Sequence, residues 1–194
     1  MKVSRNLKSA VFFDRDGVIT IPQYDSNSNK GYAARRPTDL KLYSNCGNII
    51  RKIRSTGFLT FIISNQPDIA LNKIKQSTKI KLEKTFQSLL ATNQIKFEEI
   101  KYCNHHEQSI NPNYSRYCSC RKPKPGMIFE LAEKWSLDLG SSFIIGDTWR
   151  DIEAGRKAGC KTILVKRPWS LEKNCEPTFT VDNLQNALDI IQPQ

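Results

Sequence analysis

The 194 residues of the chain suit one domain, expected over 1–194, with an ample core. Hydrophobic residues make up 39% of it and the mean hydropathy is -0.50; no apolar run nears the roughly 20 residues of a membrane span, so a membrane protein is not expected. Lys and Arg number 30 against 19 Asp and Glu, a net charge of +11, which bears on association with anionic molecules and not on fold.

The basic N-terminus (Lys2, Arg5, Lys8) precedes only four apolar residues, Ala10 to Phe13. That is too short for the core of a secretory signal, and the chain reads as cytoplasmic. "AVFF" is apolar on both faces, the pattern of a strand in mid-sheet covered on both sides. It runs into two acids, Asp14 and Asp16, which would be costly there without partners, and then into Gly17, where the chain can turn. "IPQYDSNSNKGYAARRPTD" is polar and aperiodic, a loop leading to a helix from about Ser44 to Ser55 that stops at Gly57. "FLTFIISNQ" repeats the opening, a buried strand ending in Ser64, Asn65 and Gln66. Helical spacing covers Lys73 to Thr92, and "FEEIKYC" is a short strand. Cys103 to Pro125 carries no regular signal, a length that asks for a function or a metal. Gly126 to Trp135 is helical again. "SSFIIGDTWRDIEAGRKAG" reads as strand, acidic turn at Asp147 and helix; "KTILVKRP" is a strand; "TFTVDNLQNALDII" is a short strand and a last helix capped by Asp182.

Strands and helices alternate, which makes the expected fold class α/β: a three-layer, Rossmann-like parallel sheet with helices on both faces. The carboxyl ends of all strands in such a sheet share one edge, where ligands bind. Asp14, Asp16, Ser64 and Asp147 can therefore converge, with "CRKPKPG" just ahead of the helix that leads to Asp147. Residues two apart on an extended chain face the same side, so Asp14 and Asp16 address one ligand while Arg15 points away.

These residues resemble the haloacid dehalogenase (HAD) superfamily of phosphohydrolases, whose four motifs match Asp14-x-Asp16, Ser64, Lys122 and "GDTWRD" with Asp147 and Asp151. The resemblance implies a Mg²⁺-dependent phosphomonoesterase in which Asp14 attacks phosphorus and forms an aspartyl-phosphate. Mg²⁺, held by Asp14, the main-chain carbonyl of Asp16 and Asp147, would cancel the repulsion between carboxylate and phosphate. Ser64 and Lys122 would hold the phosphate oxygens. Asp16 would protonate the leaving alkoxide and then activate water, while Asp151 would support the site from behind or cap its helix.

Three of the six cysteines crowd beside histidine within loop 103–122. Cys103, His105, Cys118 and Cys120 make a closed tetrahedral set suited to structural Zn²⁺. His106 is an alternative to His105, although alternation along an extended loop puts Cys103 and His105 on one side. With "CRKPKPGM", the loop resembles the bacterial heptose bisphosphate phosphatases and the related histidinol-phosphate phosphatases. That resemblance implies the same four zinc ligands, a phosphate or substrate contact at Arg121 beside Lys122, and a substrate contact at Asn65. The segment from Asp16 to Pro37 is too short for a cap domain, so the enzyme is expected to be capless. The chain also departs from the heptose enzymes: Pro67 to Asn72 replaces a loop that usually carries arginine, Thr148 stands where lysine is common, and Arg35 and Arg36 are added. A heptose bisphosphate is the first substrate reading. Histidinol phosphate and a nucleic-acid 3'-phosphate stay open, the zinc loop weighing against the latter. An inactive zinc-stabilised binding module is disfavoured because no catalytic residue is substituted. A phosphorylated small molecule is the expected partner, with neither nucleic acid nor membrane, and a monomer is expected.

Overall fold

The computed structural model describes residues 7–115, 117–170 and 175–192. Six parallel strands form the main sheet in the order β5-β4-β1-β6-β7-β8: β1 is Ala10–Phe13, β4 Leu59–Asn65, β5 Glu99–Cys103, β6 Phe143–Gly146, β7 Lys161–Val165 and β8 Phe179–Val181. β1 is fully buried because its side chains alternate between two apolar layers. Val11 and Phe13 join the isoleucines of α1 (Cys46–Ser55), Phe86 of α2 (Gln76–Thr92) and Leu188 of α5 (Leu184–Ile191). Ala10 and Phe12 meet Met127 and Leu131 of α3 (Gly126–Trp135) and Ala154 of α4 (Trp149–Ala158) on the opposite face. Helices thus cover both faces of a parallel sheet, as the alternation predicts. The chain moves from β1 outward to β4 and β5, then returns to the other side of β1 with β6. Asp14 follows β1 at this switch of direction, where an open α/β sheet leaves a crevice.

Three local expectations are corrected. The aperiodic loop holds a small antiparallel hairpin, β2 (Gln23–Asp25) and β3 (Lys30–Tyr32); its strands are short and none of their residues is fully buried, so they show no apolar alternation. The second helix starts at Gln76 rather than Lys73, because Leu71 to Ile74 turn back onto Pro67 to Ile69 through main-chain hydrogen bonds. The last helix is capped not by Asp182 but by Asn183, whose side chain accepts from Asn186 N at 3.1 Å. We expect Asn183→Ala to destabilise the protein by about 1 kcal/mol in urea unfolding and Asp182→Ala by far less, since only the first removes a cap. No helix among the described residues is long and apolar enough to cross a membrane.

Candidate active site

Asp14 stands one residue past β1, its N–H donating to Ile145 O of β6 at 2.9 Å. Gly17 turns the chain with φ +94°, and a Cβ there would lie 2.0 Å from Asp147 Oδ2, so only glycine allows this close approach. Lys122, 3% exposed, reaches into the crevice from the irregular loop. Its Nζ donates to Asp14 Oδ1 and to Ile63 O, each at 2.8 Å, and pairs with Asp151 Oδ1 at 2.5 Å. Burial alone would lower the pKa of this ammonium, but the charges of Asp14 and Asp151 outweigh that and hold it above its ordinary value.

Asp14, Asp147 and Asp151 each offer a carboxylate oxygen within 4.8 Å of the others. Burial, followed by the neighbouring acids, raises the Asp147 carboxyl well above its usual range. Asp14 is lifted to about 6, first by burial, with Lys122 opposing and Asp151 adding. Asp147 Oδ1 is buried without a hydrogen-bond partner. Three crowded acids, one of them with an unpartnered oxygen, form a donor set that suits a hard divalent cation. Asp151 serves two neighbours at once: its Oδ2 accepts from Thr148 N at 3.1 Å and Thr148 Oγ1 at 2.7 Å at the start of α4, and its Oδ1 faces Lys122. Thr148 is thus tied to helix capping.

Asp16 joins a side-chain network one step away. Gln66 Nε2 donates to Asp16 Oδ2 at 2.7 Å and to Ser64 Oγ at 3.1 Å, and Gln66 Oε1 accepts from Arg15 at 2.7 Å. Arg15 does turn from the crevice, but it is buried between Phe86 and Tyr102 and pairs with Asp16 at 3.1 Å. Sequence reasoning missed this anchor. Both polar ends of the Asn65 side chain grip the Lys122 main chain, at 3.0 and 3.1 Å. Arg35 and Asp68, two of the departures noted above, are each other's partners at 3.0 Å, whereas Arg36 pairs with Asp39 at 2.7 Å. The crevice, about 280 Å³, is lined by Asp14, Asp147 and Ser64 at the strand ends and by Arg121, Arg150 and Lys73 among others.

Cys103 closes β5, and its Sγ lies 3.6 Å from His105 Nδ1, 3.7 Å from Cys118 Sγ and 3.1 Å from Cys120 Sγ; His105 Nδ1 is 3.4 Å from Cys120 Sγ. The four donor atoms all lie within 4.8 Å of one another, a group that could hold a metal ion. His105 is the histidine of this group; His106 Nδ1 instead accepts from Gln108 N at 3.1 Å.

Residues 119–187 match the HAD-hydrolase-like family model. A D-glycero-beta-D-manno-heptose-1,7-bisphosphate 7-phosphatase of Rhodopseudomonas palustris is 33% identical over 159 residues, 82% of this chain and 84% of the relative. The chain belongs to the HAD superfamily of phosphatases. This HAD phosphatase is also 31% identical to the Vibrio cholerae protein of the same description over 183 residues, 93% of the chain and 94% of that protein. Its fold is that of D,D-heptose 1,7-bisphosphate phosphatase from B. bronchiseptica, a structure complexed with magnesium and phosphate, with TM-score 0.76, 22% identity, and coverage of 94% of this chain and 97% of that one. It is an enzyme, a hydrolase of phosphoric monoesters.

Proposed function

We propose that this HAD phosphatase hydrolyses a heptose bisphosphate in a single capless domain, with Mg²⁺ at Asp14, the Asp16 carbonyl and Asp147. The observation that carries the reading is the meeting of Asp14, Asp147 and Asp151 around one buried lysine at the sheet's switch point. The relatives of this size whose names specify heptose bisphosphates support the substrate. So do Lys30, Lys73, Arg121 and Arg150 around the crevice, a cationic rim suited to a substrate with a second phosphate.

Asp14 is the nucleophile, and its carboxylate is kept in place by Lys122 Nζ. The cation, when bound, offsets the charge between carboxylate and phosphate. Lys122 and Ser64 hold the phosphate oxygens; Gln66 already donates to Ser64 Oγ, which leaves the hydroxyl proton for substrate. Asp16, fixed by Arg15 and Gln66, protonates the departing alkoxide and then takes a proton from water. Phosphate release should be followed from both heptose bisphosphate anomers, histidinol phosphate and a 3'-phosphorylated oligonucleotide, with Mg²⁺ and after EDTA. Preferred turnover of a heptose bisphosphate, lost with EDTA and restored by Mg²⁺, is expected; preference for either of the other two would overturn the substrate reading.

Zn²⁺ on Cys103, His105, Cys118 and Cys120 would order loop 103–122, whose last two residues, directly after Cys120, are Arg121 and Lys122. Misplacing such groups by about 1 Å can cost on the order of 100-fold in rate. Cys120→Ser is therefore expected to lower zinc content and turnover together. Zinc stoichiometry measured beside steady-state kinetics decides the point: full activity without zinc would mean that Lys122 is held in place without the metal, its main chain by Asn65 and its Nζ by Asp14, Asp151 and Ile63 O.

A further inference from the structure

The segment after β7 plays no part in the chemistry above, yet it grips the floor of the site. Arg167 Nε donates to Gly17 O at 2.9 Å, and its guanidinium lies over the Tyr43 ring. Ser170 Oγ accepts from Arg167 N at 2.9 Å and donates to Asp147 O at 2.6 Å. Between them, Trp169 Nε1 donates to Asp147 Oδ2 at 2.5 Å. One residue's carboxylate and main-chain carbonyl are thus both held by this segment, while the other carboxylate oxygen, Oδ1, has no hydrogen-bond partner.

The same indole is a seat for the hairpin. A Cβ added to Gly31 of β3 would come 2.8 Å from Trp169 Cε2, so the strand runs directly against the ring. The Tyr24 ring packs against it at 5.4 Å between centroids, and Asn29 Nδ2 donates to Pro168 O at 3.3 Å. Gly31, Tyr32 and Trp169 then form part of the crevice wall above Asp14 and Asp147.

We propose that Trp169 is a positioning residue for the cation-binding carboxylate: its N–H pins Asp147 Oδ2 and leaves Oδ1 to the cation, and the β2–β3 hairpin, seated on the same ring, shares control of cation affinity. A carboxylate free to rotate must be ordered when the ion arrives, whereas one already held by a donor is pre-set. Partners that orient a ligand from outside the coordination shell are worth about 10–100-fold in metal affinity. The proposal rests on the reading that Asp147 holds the cation.

The test uses the full chain without substrate and reads Mn²⁺ binding by electron paramagnetic resonance, with Mg²⁺ in competition. Trp169→Phe keeps the aromatic packing and deletes the N–H; affinity is expected to fall by about 10-fold or more with an unchanged unfolding temperature, which a purely structural indole would not produce. Gly31→Ala touches no ligand, and Gly31 is not among the left-handed residues, so it tests the contact with the ring; affinity is expected to fall here too. Wild-type affinity in Trp169→Phe overturns the proposal, as does tighter binding, which would make the indole a competitor of the ion. Wild-type affinity in Gly31→Ala removes the hairpin from the proposal. Asp147→Asn separates the two levels: if it binds Mn²⁺ as well as the wild type, the metal-site reading itself fails and the proposal with it, whereas lost binding there and wild-type binding in Trp169→Phe refutes the proposal alone.

Discussion

Asp14→Asn is expected to lower kcat by about 10⁴- to 10⁶-fold, the range seen when single members of a hydrolase's catalytic unit are removed, or roughly 5–8 kcal/mol of barrier. Asparagine has the same shape and keeps an oxygen for Lys122 Nζ, which now sits 2.8 Å from Asp14 Oδ1. What disappears is the charge that attacks phosphorus. The stability change should run the other way. Three carboxylates crowd together while only Asp14 and Asp151 pair with the one buried ammonium, and burial is the main reason the Asp14 carboxyl is lifted to about 6, so at neutral pH its charge is a cost to the cation-free fold. Removing it leaves Lys122 paired with Asp151. The unfolding temperature of the variant in EDTA should therefore match or exceed that of the wild type. Kinetics on the purified variant together with a thermal melt check both halves; turnover within tenfold of wild type would refute Asp14 as the nucleophile. A gain in stability at the expense of activity is what a site built for chemistry produces.

Much of this site was legible in the sequence because its parts sit at strand ends. The apolar runs before Asp14, Ser64 and Asp147 have no polar face, so each marks a buried strand, and parallel topology then brings their ends to one edge. What escaped the sequence are contacts with no local signal. Trp169 lies 22 residues from Asp147 along the chain, and nothing in "KRPWS" says which carboxylate its indole meets. Arg15 could be seen to leave the ligand side but not to return to Asp16 through Gln66, because that pairing depends on the distance between β1 and β4. The hairpin was hidden by its composition: Tyr24 and Tyr32 remain well exposed, so no alternation between core and solvent marks its strands. Asp182 and Asn183 are adjacent and chemically almost equivalent as caps. Only the backbone path into α5 distinguishes them. Arg35 and Asp68 look like unrelated departures from the heptose phosphatases until the fold brings them together as one ion pair.

Lys122→Met should be the most destabilising single change in the site. Methionine nearly fills the space of the lysine stem, so packing is kept and the effect isolates the charge. Lys122 Nζ is shared between Asp14 and Asp151 and is capped by Ile63 O. Deleting it strands Asp151, whose side chain is 1% exposed, with its remaining support limited to Thr148. Breaking a buried pair by removing one partner costs about 3–5 kcal/mol because the other charge stays behind. Urea unfolding in EDTA is expected to register a loss of that size, and activity should fall with it, since Lys122 also holds substrate phosphate in the proposed mechanism. The double variant with Asp151→Asn supplies the decisive comparison. If the penalty is the stranded charge, neutralising Asp151 restores part of the stability but none of the activity, and the two substitutions are strongly non-additive. If the double variant is less stable than Lys122→Met by the full cost of Asp151→Asn alone, the two groups do not interact energetically. The buried lysine would then be held by the fold rather than by the acids around it.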